Sequence, residues 1–377
     1  MKILQIVGRF DPKHTAHCGI NDYTEQLASA LTRAGQTVNL LGTAHDRLGW
    51  GVRRLARLLR LVREWQPDII HLQYQPHLYG HSLWLPLYPA LTKQASRSMA
   101  FVTTFHSFQR EERLSISRGQ ARGLLSGSDA VVVTNLEHRD QAQRALSHLD
   151  DRLAVIPVSA NILMVSISPA QRERIRCEWG VEPEGLALVN FGFPRADKGL
   201  YDVIRALAYA RAHSVPAIFV QLGEVRPVDE AYVLSVRRLA DELDQSSYIR
   251  WLGSLPEDIV SACLQAADVY VAPYTDGFST RRTSALVALA HGLPLVATRN
   301  EHSKQPELEH AVAFVPTHDP DALGNVLVDL AHDPAERQRL AEAGRRLSTH
   351  FDESALAGRH VEMYEKAIAR ARGAPRR

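Results

Sequence analysis

A chain of 377 residues, 45% hydrophobic and 23% charged, has room for two or three packed domains at roughly 150 residues each. Its formal net charge of +2 gives a nucleic-acid partner no bulk electrostatic support. Three scattered cysteines, Cys18, Cys177 and Cys263, lack CxxC spacing, which excludes a disulfide framework or cysteine zinc site and fits a reducing, cytoplasmic compartment.

The opening segment MKILQIVGRFDP holds too short an apolar run for a secretory leader and reads as a first strand. No stretch approaches the ~18 apolar residues of a membrane span, so the expectation is a soluble protein, at most peripheral on a membrane. Strands are predicted at Ile3–Val7, Thr37–Leu41, Asp68–Leu72, Ala100–Thr104, Ala130–Thr134 and Leu153–Ile156. Segments of helical period separate them, including Tyr23–Arg33, Arg53–Trp65 and Leu136–His148. This βαβα order implies a Rossmann-like α/β domain, a parallel sheet covered on both faces, whose strands read as continuous apolar runs.

After Pro157 the pattern lapses into SANILMVSISPA, which reads as an interdomain linker. It then restarts, with strands at Leu186–Phe191, Ala217–Gln221, Tyr248–Trp251, Val269–Ala272, Leu295–Thr298 and Ala313–Val315. Helical segments include Tyr201–Arg211, Ala231–Leu243, Pro256–Ala266 and Thr280–His291, followed by Pro320–Leu347 and Glu353–Arg370. Two doubly wound domains are expected, 1–160 and 161–350, followed by a segment 351–377 that ends in a disordered basic tail, ARGAPRR. Ligands of such sheets bind outside the strand carboxyl ends, so facing edges would make a cleft between the domains the active site.

Two loops carry cations where an anion would bind. In VNFGFPRADKGL a strand ends at Phe191, Gly192 permits a tight turn, and Arg195 and Lys198 precede a helix. Such a loop suits a diphosphate, although solvated surface charges account for the pair equally well. In VAPYTDGFSTRRTSALVALAHGLPLVAT, Ser279 or Thr280 is expected to cap a helix, placing Arg281 and Arg282 in its first turn. Cations there oppose the helix dipole unless an anion lies nearby, which favours a functional reading.

Seven segments, PDIIHLQY, FVTTFHSF, SDAVVVTN, VIPVSANI, FGFPRADKG, IRWLGSLPED and ADVYVAPYTDGFS, stand in the order and spacing of one family. On these the chain resembles retaining glycosyltransferase family 4, of the GT-B fold, over essentially its whole length. The resemblance implies two Rossmann-like domains facing across a cleft, the first on the acceptor side and the second on the nucleotide-sugar donor side. It also implies transfer with retention, no cofactor or bound metal, closure about a linker near Pro157–Pro169, and a last helix that returns to the first domain.

By position, the resemblance places Gly19 at a turn near the donor diphosphate, with Cys18 replacing the usual preceding glycine, and His106 against the transferring sugar or its phosphate. A hydrogen-bonded structural histidine is the alternative for His106. Lys198 aligns with a phosphate-binding lysine; Phe193 replaces the arginine that often follows Gly192, and Arg195 supplies that charge. Asp276 takes the first of two paired glutamate positions, for donor-sugar hydroxyls, and Ser284 the second, for the ribose. The resulting DGxSxRRxS pattern assigns Gly277, Phe278, Ser279, Thr280, Arg281 and Arg282 to the donor grip. Gly223, Glu224 and Leu255 fall where backbone contacts the base.

Two further segments admit two readings each. The helix VRRLARLLRLVREW sets Leu55, Leu58, Leu59 and Val62 on one face and Arg53, Arg57 and Arg60 on another, which suits either anionic lipid or an ordinary solvated surface. The aromatic segment YQPHLYGHSLWLPLYP suits either a glycan, lipid-linked or small-molecule acceptor or core packing. A non-catalytic GT-B scaffold and a nucleotide-sugar epimerase remain as alternatives to the transferase.

Overall fold

The computed structural model describes residues 1–8, 19–42, 50–80, 82–96, 98–108, 116–160, 162–303 and 306–373. The chain forms two compact units, Met1–Ser159 with Asp352–Arg377, and Ala160–Phe351. Each contains one six-stranded, wholly parallel sheet.

In the first unit the strands are β1 (Lys2–Val7), β2 (Thr37–Leu41), β3 (Ile69–Tyr74), β4 (Ala100–Phe105), β5 (Ala130–Val133) and β6 (Leu153–Val155), in the order β2-β1-β3-β4-β5-β6. Successive side chains of a strand point to opposite faces, and the two cores follow that alternation. Leu4, Ile6, Ile70, Phe101, Phe105, Val131 and Val133 pack on one face, with Leu55, Leu58 and Val62 of the helix Val52–Trp65. Ile3, Ile69, Ala100, Val102, Ala130 and Val132 pack on the other, against the helix Gly19–Arg33 and the C-terminal helix Glu353–Gly373. Residues 371–373 of the basic tail thus extend this last helix, and residues 374–377 lie outside the described residues.

The second unit has β7 (Leu186–Phe191), β8 (Ala217–Leu222), β9 (Ile249–Gly253), β10 (Val269–Ala272), β11 (Leu295–Thr298) and β12 (Val312–Val315), in the order β12-β11-β10-β7-β8-β9. The strand order reverses beside β7, between β8 on one side and β10 on the other. This is the switch point outside which an α/β sheet binds its ligand. Strand bounds agree with the sequence reading to within one or two residues. Helices that the sequence reading did not name include Tyr88–Ala95, Ile116–Gly127 and Pro169–Trp179, with the short Pro76–Tyr79 and Pro306–Ala311. The expected single stretch Pro320–Leu347 is two helices, Pro320–His332 and Pro334–Ser348. Pro334 has no N–H to continue the first, and the Asp333 carboxylate caps the second by accepting from Glu336 N–H at 2.9 Å.

Among the described residues no helix is long and apolar enough to cross a membrane. In the helix Val52–Trp65, Leu55, Leu58 and Val62 are buried and Arg53, Arg57 and Arg60 exposed. Arg54 turns inward, donating to the Gly42 carbonyl at 3.3 Å with its guanidinium 5.4 Å from the Trp50 ring centroid. The aromatic segment is mostly core: Tyr74, Tyr79, Leu85 and Tyr88 are buried, whereas Leu83, Trp84 and Leu87 are exposed.

Candidate functional site

The loops that follow β7 and β10 meet at the switch point of the second unit. Gly192, at φ +109°, and Gly199, at φ +67°, bracket the turn Ala196–Lys198. Both lie in the left-handed region that glycine tolerates. A Cβ at Gly199 would overlap the Pro273 carbonyl oxygen, so glycine is what lets the first loop lie against the end of β10. Thr275 N–H donating to the Asp197 carbonyl at 3.2 Å ties the loops together.

Lys198 is buried at this junction, 6% exposed. Its ammonium donates to the Phe191 carbonyl at 3.0 Å and to Ser284 Oγ at 2.9 Å, and lies 5.3 Å from the Tyr274 ring centroid. Both hydrogen-bond acceptors are neutral. Burial, reinforced by Arg282 and Arg195 against the pull of Asp197, brings the ammonium down to about 7 from an ordinary 10.5.

The arginines do not lie as the sequence suggested. The helix begins at Thr283, not Thr280, its N-cap is Arg282, and no side chain caps it. Ser279 and Thr280 precede it in a turn, and Arg281 and Arg282 stand before its first turn rather than within it. Their counter-charges are internal. Asp276 accepts from both Arg281 and Arg282, and Asp197 accepts from Arg282 at 2.5 Å and from Arg195 at 2.7 Å. Burial would raise the Asp197 carboxyl, but the Arg282 hydrogen bond and charge, with Arg195 and Lys198, outweigh it and hold it below the usual carboxylate range. The Asp276 carboxylate, pictured from sequence as open to sugar hydroxyls, is therefore engaged on both oxygens, though 41% of its side chain remains exposed. Arg282 also stacks over Tyr274 at 4.3 Å.

The remaining expected residues line the same edge. Gly277, at φ +80°, packs against Asn300, whose amide donates to the Asp276 carbonyl at 2.9 Å. Phe278 is wholly buried, and the buried Ser279 hydroxyl has no hydrogen-bond partner among the described residues. Thr280 is half-buried. Gly223, at φ +125°, donates to Gly253 carbonyl at 2.8 Å and touches Gly192 so closely that a Cβ would overlap its carbonyl oxygen. Glu224 is exposed and Leu255 half-buried.

Sequence reasoning missed Arg226, on the loop after β8, whose guanidinium stacks 4.6 Å from the Phe193 ring and pairs with Asp229 at 2.6 Å. The basic residue and the aromatic were both legible; their juxtaposition was not. A cavity of about 520 Å³ in this unit, lined among others by Met164, Arg172, His291 and Arg345, lies where β10 and β11 begin and includes none of these residues.

Gly19 and His106 belong to the first unit. Gly19 opens the helix Gly19–Arg33, exposed and with no described residue where a Cβ would stand, while Cys18 and the rest of the preceding loop lie outside the described residues. His106 follows β4. Its backbone N–H donates to the Tyr74 carbonyl at 3.0 Å, its Nε2 lies 2.9 Å from Gln73 Oε1, and its ring meets Tyr23 edge-on at 5.0 Å. Its Nδ1 makes no hydrogen bond with the described residues. Burial, then His138 and His360, push the imidazole down to about 3, so it is neutral at physiological pH. Behind it lie residues the sequence reading passed over. His71 Nε2 is 2.7 Å from Thr104 Oγ1 and its Nδ1 is 2.7 Å from Tyr364 Oη; His360 Nε2 is 3.3 Å from Tyr23 Oη. The signal was present, since His71 and Gln73 alternate with apolar residues along β3, and Thr104 and His106 continue the same alternation at the end of β4.

Residues 23–161 match the family model described as Glycosyltransferase Family 4, and residues 186–333 match Glycosyl transferases group 1. The chain is 30% identical over 229 residues to MMP alpha-(1->4)-mannosyltransferase of Mycolicibacterium hassiacum, covering 55% of this chain and 54% of that protein. It is 22% identical to D-inositol 3-phosphate glycosyltransferase of Pseudarthrobacter chlorophenolicus, covering 93% and 91%. The solved structure of Anabaena HepE in complex with UDP and glucose superposes with a TM-score of 0.72 at 15% identity, over 96% of this chain and 98% of that one. With both domain models matched and the two parallel sheets in place, the chain belongs to the group 1 and family 4 glycosyltransferases of the GT-B type.

Proposed function

We propose that this protein transfers a sugar from a nucleotide-diphosphate sugar to an acceptor hydroxyl with retention of configuration, the second unit gripping the donor and the first the acceptor. The observation that carries the reading is Lys198: a buried ammonium bonded to two neutral acceptors and paired with no carboxylate among the described residues. An unpaired buried charge is costly, and a donor diphosphate would supply the missing anion.

As the bond between the sugar C1 and the diphosphate oxygen breaks, Lys198 and Arg195 would stabilise the charge gathering on that oxygen. The acceptor oxygen bonds to C1 on the face the diphosphate leaves, and its proton passes to the diphosphate. The unprotonated nitrogen of a neutral His106 suits a sugar hydroxyl better than a phosphate oxygen, since it can only accept. No metal enters this scheme. The complex of HepE with UDP and glucose supports a nucleotide donor. A glycan, a lipid-linked molecule or a small molecule remains open as acceptor, as do a role in glycan or polysaccharide synthesis and a peripheral membrane contact through the basic face of Val52–Trp65.

A panel of UDP-, GDP-, ADP- and dTDP-sugars tests the reading: one of them should raise the melting temperature and be slowly hydrolysed. Silence from every donor would remove it. A second reading, a GT-B subunit that binds a nucleotide sugar without turning it over, is favoured by the two arginines that occupy Asp276. Donor stabilisation without hydrolysis or transfer would select it.

A further inference from the structure

We infer that the C-terminal helix Glu353–Gly373 carries two positioning residues for His106, Tyr364 and His360, which act through Gln73 and Tyr23 to fix the tautomer and orientation of the imidazole. The inference rests on the reading of His106 as a donor-sugar contact. Buried strands rarely carry imidazole and amide groups without hydrogen-bond partners, because desolvation is then uncompensated. Here β3 carries two such groups, His71 and Gln73, on the face that the helix covers, with His71 opposite Val102 and Gln73 opposite Thr104, and His106 follows the end of β4.

The protons follow from what each partner is able to do. The Leu356 carbonyl only accepts, so His360 Nδ1, 2.8 Å away, is protonated and its Nε2 accepts from the Tyr23 hydroxyl. Among the described residues the one hydrogen-bond partner of the Tyr364 hydroxyl is His71 Nδ1, so Tyr364 donates, and the His71 proton sits on Nε2 facing Thr104 Oγ1. The Gln73 amide nitrogen lies 3.4 Å from both ring nitrogens of His71, against the ring rather than in its plane. The opposite amide orientation would set a carbonyl oxygen on the electron-rich face of that ring. Gln73 Oε1 therefore points to His106, and their 2.9 Å contact requires the proton on His106 Nε2, leaving Nδ1 as the acceptor.

The ring has a second support. Tyr23 meets it at an interplanar angle of 76°, and the Tyr23 hydroxyl is held by His360. Tyr23 is thus tethered to the helix directly by His360, and Gln73 indirectly, through the His71 ring that Tyr364 holds in place. An apolar helix face would cover the sheet without these tethers.

Imidazole nitrogen NMR on the histidine-labelled full chain reads the tautomer directly, with His106→Gln assigning the signal. The wild type should show a proton on Nε2 of His106. Tyr364→Phe, which removes only a hydroxyl, should populate the other tautomer and lower donor turnover by about 10- to 100-fold, as when other groups orienting a functional imidazole are lost, with donor KM unchanged. Gln73→Leu should lose the preference and Gln73→Glu keep it, which decides the matter even where Tyr364→Phe fails to fold. A proton on Nδ1 in the wild type, or a Tyr364→Phe chain with the wild-type tautomer and turnover, overturns the inference. Because the tautomer is read without donor, inactivity with every nucleotide sugar would remove the proposed activity and leave this question answered.

Discussion

Lys198 and Ser284, 86 residues apart in sequence, are joined by a 2.9 Å hydrogen bond from ammonium to hydroxyl. The serine stands where the family resemblance led us to expect a glutamate holding the ribose. A carboxylate beside the ammonium would neutralise it, whereas a hydroxyl satisfies one of its protons and leaves the charge available. Ser284→Ala removes that acceptor and should weaken UDP binding by about 0.5–1.5 kcal/mol, the worth of an ordinary hydrogen bond, in calorimetric titration. Unchanged affinity would mean that the serine does not hold the lysine in solution.

The lowered lysine makes donor binding pH-dependent, and the sign is fixed. Its folded value of about 7 lies below the unfolded 10.5, so its contribution to stability is fully present above 10.5 and is lost as pH falls towards 7. Binding runs the other way, because a diphosphate favours the ammonium and raises its pKa. Affinity for UDP should be greatest near pH 7 and fall by up to about tenfold per unit above it, until the pKa of the bound state is reached. Lys198→Ala should flatten this profile and cost about 1.5–3 kcal/mol near neutrality. A wild-type profile that is already flat would place the lysine away from the diphosphate.

Asp276 and Arg282 invite a different measurement, because a carboxylate that holds two arginines has two effects when lost. Asp276→Ala frees positive charge beside the Lys198 loop, so UDP should bind at least as tightly as to the wild type. Turnover of the intact sugar donor should nevertheless fall if the exposed part of the carboxylate also meets sugar hydroxyls. A loss of UDP affinity and turnover in step would make Asp276 a structural clamp alone.

Sequence carried the two sheets because a parallel strand covered on both faces must be apolar throughout, as in AVVV of β5 and VYVA of β10. It carried the Lys198 loop as well, since a glycine between strand and helix leaves few conformations open. The helix Pro169–Trp179 escaped because Ile175 and Trp179 are its only large apolar residues, although Ser168 and Gln171 form a capping box that could have announced it. The partners of Arg281 and Arg282 escaped for another reason. Whether a cation before a helix faces a ligand or a carboxylate five residues back depends on turn geometry that residue types do not encode. The contacts of Tyr364 with His71, 293 residues away, lie still further beyond local pattern.

Gly199 tests whether the two loops of the donor edge fold as one piece. Its φ of +67° is unfavourable for any side chain, and a Cβ would strike backbone at Pro273, which has no rotamer through which to yield. Gly199→Ala should cost about 2–4 kcal/mol of stability, combining the dihedral penalty with displacement of the β10 end. Gly19→Ala, at an exposed helix start where a Cβ would meet none of the described residues, should cost little. Urea denaturation of both variants makes the comparison, and equal midpoints would mean that the loops are not in contact.

The histidines of the first unit make its stability sensitive to acid. His71, His106 and His360 are all lowered, chiefly by burial, with His106 near 3 and His360 near 4 against an unfolded value of 6.5. A depressed histidine leaves stability intact above its unfolded value and removes it as pH falls from there towards the folded value, since the unfolded chain then binds the extra proton. Three such protons give a limiting slope of about 4 kcal/mol per pH unit, reduced wherever the site relaxes to admit water. Among the described histidines of the second unit only His291 is lowered, so that unit should lose roughly a third as much. Hydrogen exchange between about pH 6.5 and 4, corrected for intrinsic rates, should show protection lost earlier in β3 and β4 than in β7 and β8. His360→Gln removes one of the three protons and should reduce the acid slope of the first unit by about a third. Equal acid sensitivity in both sheets would mean that the buried imidazoles are solvated more than their packing implies.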